Sequence, residues 1–243
     1  MNRQSNTYTV IYTIILVVVV GAALAFTSLA LKPRQQANAD ADKMKQILAS
    51  AHVTPDPSDV QGDFARYITR SFIVNSEGAI VDGDAFTVNV AAESKLPVED
   101  RRMPVYVCVI DGADKYILPV YGAGLWGPIW GYIALDADGS TVYGAYFAHH
   151  GETPGLGAEI EKPAFSGQFD GKHLFVDGMF KPIAVVKAGQ KPLNGEEYVD
   201  AISGGTITSK GVQSMLDNCL TGYRAFLDKL AAGEQTVTNR QNK

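Results

Sequence analysis

The chain has 243 residues and a mass of 26.1 kDa, room for one or two domains at about 100–200 residues each. Apolar residues make up 46% of it and charged residues 19%, with 21 basic against 26 acidic side chains and 2 cysteines. That balance excludes a disordered chain, a disulfide-stapled mini-protein and a basic nucleic-acid binder.

The charge is unevenly spread. Arg3 is the one charged side chain before Lys32, and the stretch from Val10 to Leu31 is 22 residues long without a charge. As a helix rising about 1.5 Å per residue it reaches about 33 Å, enough for a hydrocarbon core of about 30 Å. Tyr8 and Tyr12 sit where aromatic anchors meet the interface. A cleaved signal peptide would have a shorter apolar core, although Ala23-Leu24-Ala25 offers a cleavage-like site. The span is therefore read as a transmembrane helix over residues 10–31 behind a short tail over 1–9. Lys32, Arg34, Lys43 and Lys45 outnumber Arg3, which by counting alone puts the C-terminal side in the cytoplasm. Long domains translocate largely regardless of charge, so orientation stays open at this point.

Pro33–Asn38 reads as a polar linker. Met44, Ile47, Leu48 and Ala51 recur at helical spacing within a short helix over Ala39–His52, stopped by Thr54-Pro55-Asp56-Pro57. A second helix is expected over Phe64–Phe72. The texture then changes to short strands with glycine turns: Ala79–Val81, Ala85–Val90, Pro104–Ile110, Tyr116–Val120, Gly131–Leu135, Val142–His149, Phe175–Val176 and Ile183–Val186. Asp111-Gly112 and Asp138-Gly139 are turn dipeptides between them. A last helix, from about Lys210 to Ala232, carries a broad apolar stripe through Val212, Met215, Leu216, Cys219, Leu220, Tyr223, Leu227 and Leu230. Residues 233–243 are a polar tail. The fold class is α+β, divided as linker and N-terminal part over 32–100 and a main domain over 101–232. Cys108 and Cys219 read as small buried hydrophobes.

Gly122-Ala-Gly124-Leu-Trp-Gly127 matches a dinucleotide fingerprint, yet Pro128 and a strand pattern follow where a helix is needed, so it reads as a wide turn. His149 and His150 point to opposite faces of a strand and do not make a metal site. Two stretches carry more chemistry. In His150-Gly-Glu152-Thr153-Pro154-Gly155-Leu156-Gly157, glycines and a proline fix a tight loop whose N–H groups can face a ligand; a structural turn has the same composition. In Asp200-Ala-Ile-Ser203-Gly204-Gly205-Thr206-Ile-Thr208-Ser209, glycines beside hydroxyls precede a helix, as in an anion site, with Lys210 as an added cation. The rival reading is a helix N-cap at Thr208 or Ser209.

Together the two stretches resemble the FMN-binding domain of bacterial respiratory flavoproteins. With its single N-terminal span and Gly-Leu-Trp-Gly-Pro turn, nearly the whole chain is similar to the NqrC family of the Na+-translocating NADH:quinone reductases. The RnfG proteins of Rnf complexes share the two loops. The resemblance implies FMN held by a phosphoester on Thr206, the last threonine of the family's Asp-x-x-Ser/Thr-Gly-Ala-Thr motif; Gly205 stands where alanine is usual. It implies attachment by a flavin transferase that uses FAD. It further implies that the Glu152–Gly157 loop, Gly155 included, approaches the ring, with ring contacts from Leu125, Trp126, Thr153 and Leu156 and phosphate contacts from Ser203, Gly204 and Thr208. The expected function is a membrane-anchored electron-transfer subunit, inactive alone, beside the other subunits of the reductase. The flavin domain then lies on the periplasmic side of the bacterial inner membrane. The alternatives are an RnfG-type protein and a non-redox anchored ligand-binding domain.

Overall fold

A computed structural model describes residues 6–233; residues 1–5 of the N-terminal tail, and the polar tail from residue 234 on, lie outside the described residues. The chain divides into two units, Met1–Lys43 and Met44–Lys243.

In the first unit the apolar run is part of helix α1 (Asn6–Ser50), long and apolar enough to cross a membrane, with nothing in its apolar window buried. The expected linker Pro33–Asn38 is helical. Gln, Ala and Arg around Pro33 are good helix formers and no glycine interrupts them, so the one hydrogen bond lost at the proline does not end the helix. The helix stops at Ser50, short of the prolines expected to end it. His52 takes a left-handed φ of 58°, while its N–H bonds Ala49 O at 3.1 Å and the Val53 N–H bonds Leu48 O at 3.0 Å. That pair of bonds is the Schellman closure of a helix C-terminus.

The second unit is built on a six-stranded antiparallel sheet in the order β2-β1-β3-β4-β5-β6. Its strands are β1 (Ile68–Val74), β2 (Ile80–Val81), β3 (Met103–Ile110), β4 (Ala113–Ala123), β5 (Pro128–Leu135) and β6 (Val142–His149). Asp111 and Gly112, both at positive φ, turn β3 into β4, as a tight hairpin requires. Before the sheet lies α2 (Val60–Tyr67), capped by Asp59, whose carboxylate accepts the Gly62 N–H at 3.0 Å. Between β2 and β3 comes the short α3 (Val90–Glu93). After β6 follow α4 (Pro163–Ser166), the small pairs β7 (Phe175–Val176) with β8 (Met179–Phe180) and β9 (Ala184–Val186) with β10 (Tyr198–Asp200), and finally α5 (Thr206–Ala231).

Both faces of the sheet are covered, so β3 is buried along six successive residues instead of alternating. Met103, Val105 and Val107 face one core with Leu118, Val120, Ile129 and Ile133, beneath the α5 stripe from Val212 to Leu230. Tyr106 and Cys108 face the other, with Ile117, Tyr132 and Ala134, beneath Ile47, Leu48 and Ala51. Each cysteine is buried among apolar side chains, as expected, one in each core. Burial pushes the Cys108 thiol up to about 11, against a small opposing pull from Lys115.

Three expected elements are corrected. Helix α2 ends at Tyr67, and Ile68–Phe72, expected as the end of that helix, belongs to strand β1 (Ile68–Val74), which pairs with β3. Its β-branched and aromatic content favours a strand, and a register shift between Ile68 and Arg70 brings Ile68 and Ile73 into the same core. Ala85–Val90 is not a strand. Ala85–Thr87 is a 3-10 turn capped by Asp84, and Asn89 caps α3 by accepting the Ala92 N–H. The last helix begins at Thr206, four residues before the expected Lys210, and β8 and β10 were not anticipated.

Candidate functional site

The β4–β5 turn, the loop after β6 and the N-terminus of α5 meet around an open cavity of about 220 Å³. Leu125, Glu152, Thr153, Leu156, Gly157, Gly204, Gly205, Thr206, Ile207 and Thr208 line it. Nine of the twelve residues singled out in the sequence thus line one cavity, although 83 positions separate Leu125 from Thr208 along the chain. Ser203, Gly155 and Trp126 stand beside the cavity in the same loops and do not line it.

Each wall is set by local chain physics. Of the expected wide turn Gly122–Gly127, Gly122 and Ala123 end β4 and Gly124–Gly127 makes the turn, closed by the Gly124 N–H on Gly127 O at 2.8 Å. After β6, Thr153 O accepts the N–H groups of Leu156 and Ala158, both at 3.1 Å, around Gly155 at φ 75°. Before α5, Gly205 N–H bonds Ile202 O at 3.0 Å, with Gly204 at φ 75° in the third position of the turn. That φ and position call for glycine.

Neither threonine nor serine caps α5. Gly205 is the N-cap, without a side-chain bond. The expected capping hydroxyls are buried and engaged elsewhere: Ser209 Oγ accepts the Ile202 N–H at 3.0 Å, and the Thr208 hydroxyl donates to Glu152 Oε2 at 2.6 Å. The first-turn N–H groups of Thr206, Ile207 and Thr208 have no intrahelical partner, and the positive end of the dipole of a 26-residue helix lies with them. Thr206 is exposed at the first helical position and lines the cavity. Lys210 is not at the cavity. It lines an adjoining open groove of about 540 Å³ with Tyr121, Gly122, Ala123 and Met215.

Glu152 ties the walls together. It is 4% exposed, and its Oε1 accepts the Trp126 N–H at 2.8 Å while Oε2 takes the Thr208 hydroxyl. Burial alone pushes its carboxyl up. The Thr208 hydroxyl, the backbone of Trp126 and Leu125, and His149 outweigh that and hold it below the usual carboxylate range. His149 Nδ1 accepts the Glu152 N–H at 3.0 Å, and its Nε2 lies 3.4 Å from Glu161 Oε1. Sequence reasoning placed Glu152 in the right loop and missed this role.

It also missed Ile207, which lines both the cavity and the groove and is 56% exposed. The signal was there: an isoleucine off the buried α5 stripe, between two threonines. With Leu125, Leu156 and the 68%-exposed Trp126 it leaves an apolar rim beside a polar, donor-rich floor. At about 220 Å³ the cavity is smaller than the roughly 300–1,000 Å³ that encloses a drug-sized ligand. It suits a group gripped at an anionic end and left open along an aromatic one. These features fit FMN: open N–H groups for its phosphate, apolar side chains for its ring, and a threonine hydroxyl between them.

Comparison with known proteins bears on the same residues. A family model described as FMN-binding domain matches residues 124–221, which contain all three walls. The NqrC protein of the Na(+)-translocating NADH-quinone reductase of Vibrio vulnificus is 36% identical over 89% of this chain and 94% of its own length. Its counterpart in Vibrio anguillarum is 36% identical over 96% and 98% respectively. Among solved structures, the crystal structure of the Parabacteroides distasonis counterpart superposes with a TM-score of 0.76 at 51% identity, covering 81% of this chain and 96% of that one. NqrC from Shewanella oneidensis superposes with a TM-score of 0.66 at 28% identity, covering 80% and 99%.

Proposed function

This chain belongs to the NqrC family of the Na(+)-translocating NADH-quinone reductases, and from that premise we propose that it is a membrane-anchored electron-transfer subunit with FMN attached through a phosphoester on Thr206. It is one part of an oxidoreductase complex and works beside the other subunits. The observation that carries the attachment site is the state of the hydroxyls before and within the first turn of α5. Thr208 and Ser209 are buried with their hydroxyls hydrogen-bonded, and Ser203 is exposed but does not line the cavity, whereas Thr206 is exposed and lines it.

FMN supplies the electron-transfer chemistry, which belongs to the cofactor. The chain's own residues bind and orient it. Thr206 Oγ1 is the attachment atom, the open N–H groups of the first turn of α5 with Ser203 and Gly204 serve the phosphate, and Leu125, Trp126, Thr153 and Leu156 flank the ring. Attachment joins Thr206 Oγ1 to the FMN phosphorus, displaces AMP from FAD and passes the hydroxyl proton to a base of the flavin transferase. A threonine hydroxyl is too weak a nucleophile to do this unaided. The apolar part of α1 anchors the protein in the bacterial inner membrane, with the flavin domain on the periplasmic side.

Co-expression with a flavin transferase tests the attachment. The denatured wild-type band is expected to fluoresce, Thr206→Val to be dark, and Thr208→Val to keep its label. A dark wild-type band, or a label that persists in Thr206→Val, overturns the reading.

A further inference from the structure

We propose that Glu152 is a positioning residue of the flavin site, whose buried carboxylate clasps the β4–β5 turn to α5 and sets a fixed negative charge against the flavin, lowering its midpoint potential. This rests on the reading of Thr206 above and adds what controls the bound group.

The geometry is that of a clasp. One carboxylate oxygen holds the backbone of the turn that carries Leu125 and Trp126. The other holds the side chain two residues beyond Thr206. The Glu152 backbone N–H donates to His149 Nδ1 at the end of β6. Space for the carboxylate is made on two sides by glycine: a Cβ on Gly124 would lie 2.5 Å from Oε1, and one on Gly157 2.5 Å from Oε2. So all three walls of the cavity converge on this one side chain.

The charge follows from the partners. Neutral N–H and O–H donors hold the carboxylate, and no lysine or arginine forms an ion pair with it among the described residues. It lies on the cavity wall, and the donors keep it ionised at neutral pH. Electrons that arrive without a full complement of protons add negative charge to a flavin in this cavity. In a partly desolvated site a carboxylate with no lysine or arginine paired to it opposes that charge more strongly than it would in water. The oxidised form is therefore favoured.

Two substitutions pull the effect in opposite directions. Glu152→Gln keeps an acceptor for the Trp126 N–H and a partner for the Thr208 hydroxyl while removing the charge. Thr208→Val keeps the charge and strips one of its donors. The experiment is a dithionite titration of each loaded, full-length chain in detergent, followed by flavin absorbance, with gel fluorescence confirming the label on Thr206 in each. Glu152→Gln is expected to shift the midpoint potential upward, Thr208→Val downward, and Glu152→Asp to stay nearer wild type than Gln. A loaded Glu152→Gln chain with an unchanged or lower potential sinks the proposal. So does a shift of the same sign in both variants, which would mark loosened packing instead of charge. Should Glu152→Gln fail to fold, the sign in Thr208→Val decides alone. A wild-type chain that carries no covalent flavin would fail the Thr206 reading, a result distinct from any of these.

Discussion

A methyl group on Gly157 would lie 2.4 Å from Thr208 Oγ1 and 2.5 Å from Glu152 Oε2, so the motif glycine is required by the residue it packs against. The same carboxylate gives the fold a pH dependence with a definite sign. Its donors hold Glu152 below the 4.5 of an unperturbed glutamate. A group depressed in the folded state contributes stability that is fully present above its unfolded value and is lost as pH falls through the folded one. Wild type is therefore expected to lose stability to urea below about pH 4.5 more steeply than Glu152→Gln, with parallel curves above pH 6. Equal slopes in acid would show that Glu152 titrates as in the unfolded chain. Glu152 was readable in the sequence as a member of a tight loop, but its role was not. Its partners Trp126 and Thr208 lie 26 and 56 positions away, and nothing local links them. Thr206 differs: the family motif alone names it, while chain physics marks only the stretch Ser203–Ser209, whose hydroxyls and glycines at a helix start lie within seven residues.

The cavity depends on how closely α5 approaches β4. A Cβ on Gly211 would sit 2.2 Å from Ala123 O, at the foot of the turn that carries Leu125 and Trp126. Alanine is the better helix former by about 1 kcal/mol, but overpacking a close contact costs about 1–3 kcal/mol, and here the obstacle is backbone. Gly211→Ala is expected to lower the urea midpoint, a net loss of up to about 2 kcal/mol, by displacing the turn. A rise in the midpoint would show that the helix has room. Element by element, sequence reading worked where a single factor dominated. The strand Val142–His149 was located to the residue, bounded by glycine and histidine turns, and the α5 stripe was legible from its periodicity. It failed at Ile68–Phe72 because the register shift between Ile68 and Arg70 and the three successive buried residues Phe72, Ile73 and Val74 break the alternation, so the strand blends into the helix before it. At Ala85–Val90 it failed because Asp84 and Asn89 cap short turns that β-branched composition concealed.

At the scale of the whole molecule, two properties of the sequence pull in different directions. The cations after the apolar run outnumber those before it, which by the positive-inside bias would keep the domain in the cytoplasm; that bias weakens for long translocated domains. The second unit, Met44–Lys243, covers its sheet on both faces with its own residues, Ile47 and Leu48 on one and α5 on the other. A domain with a complete core folds on whichever side it is delivered to, so folding places no constraint on orientation. The family reading places it outside. The test is trypsin added to intact spheroplasts. Arg34 is exposed, Lys43 ends the first unit, and Lys32 is shielded from trypsin by Pro33. Cleavage after Arg34 or Lys43 is expected to release a water-soluble fragment of about 200 residues, the size of the second unit alone, within the range of an independent domain. That fragment would keep the covalent flavin and melt cooperatively. Release only after the cells are broken would put the domain on the cytoplasmic side and restore the charge count. Release of an aggregated or unfolded fragment would show that the two units depend on each other.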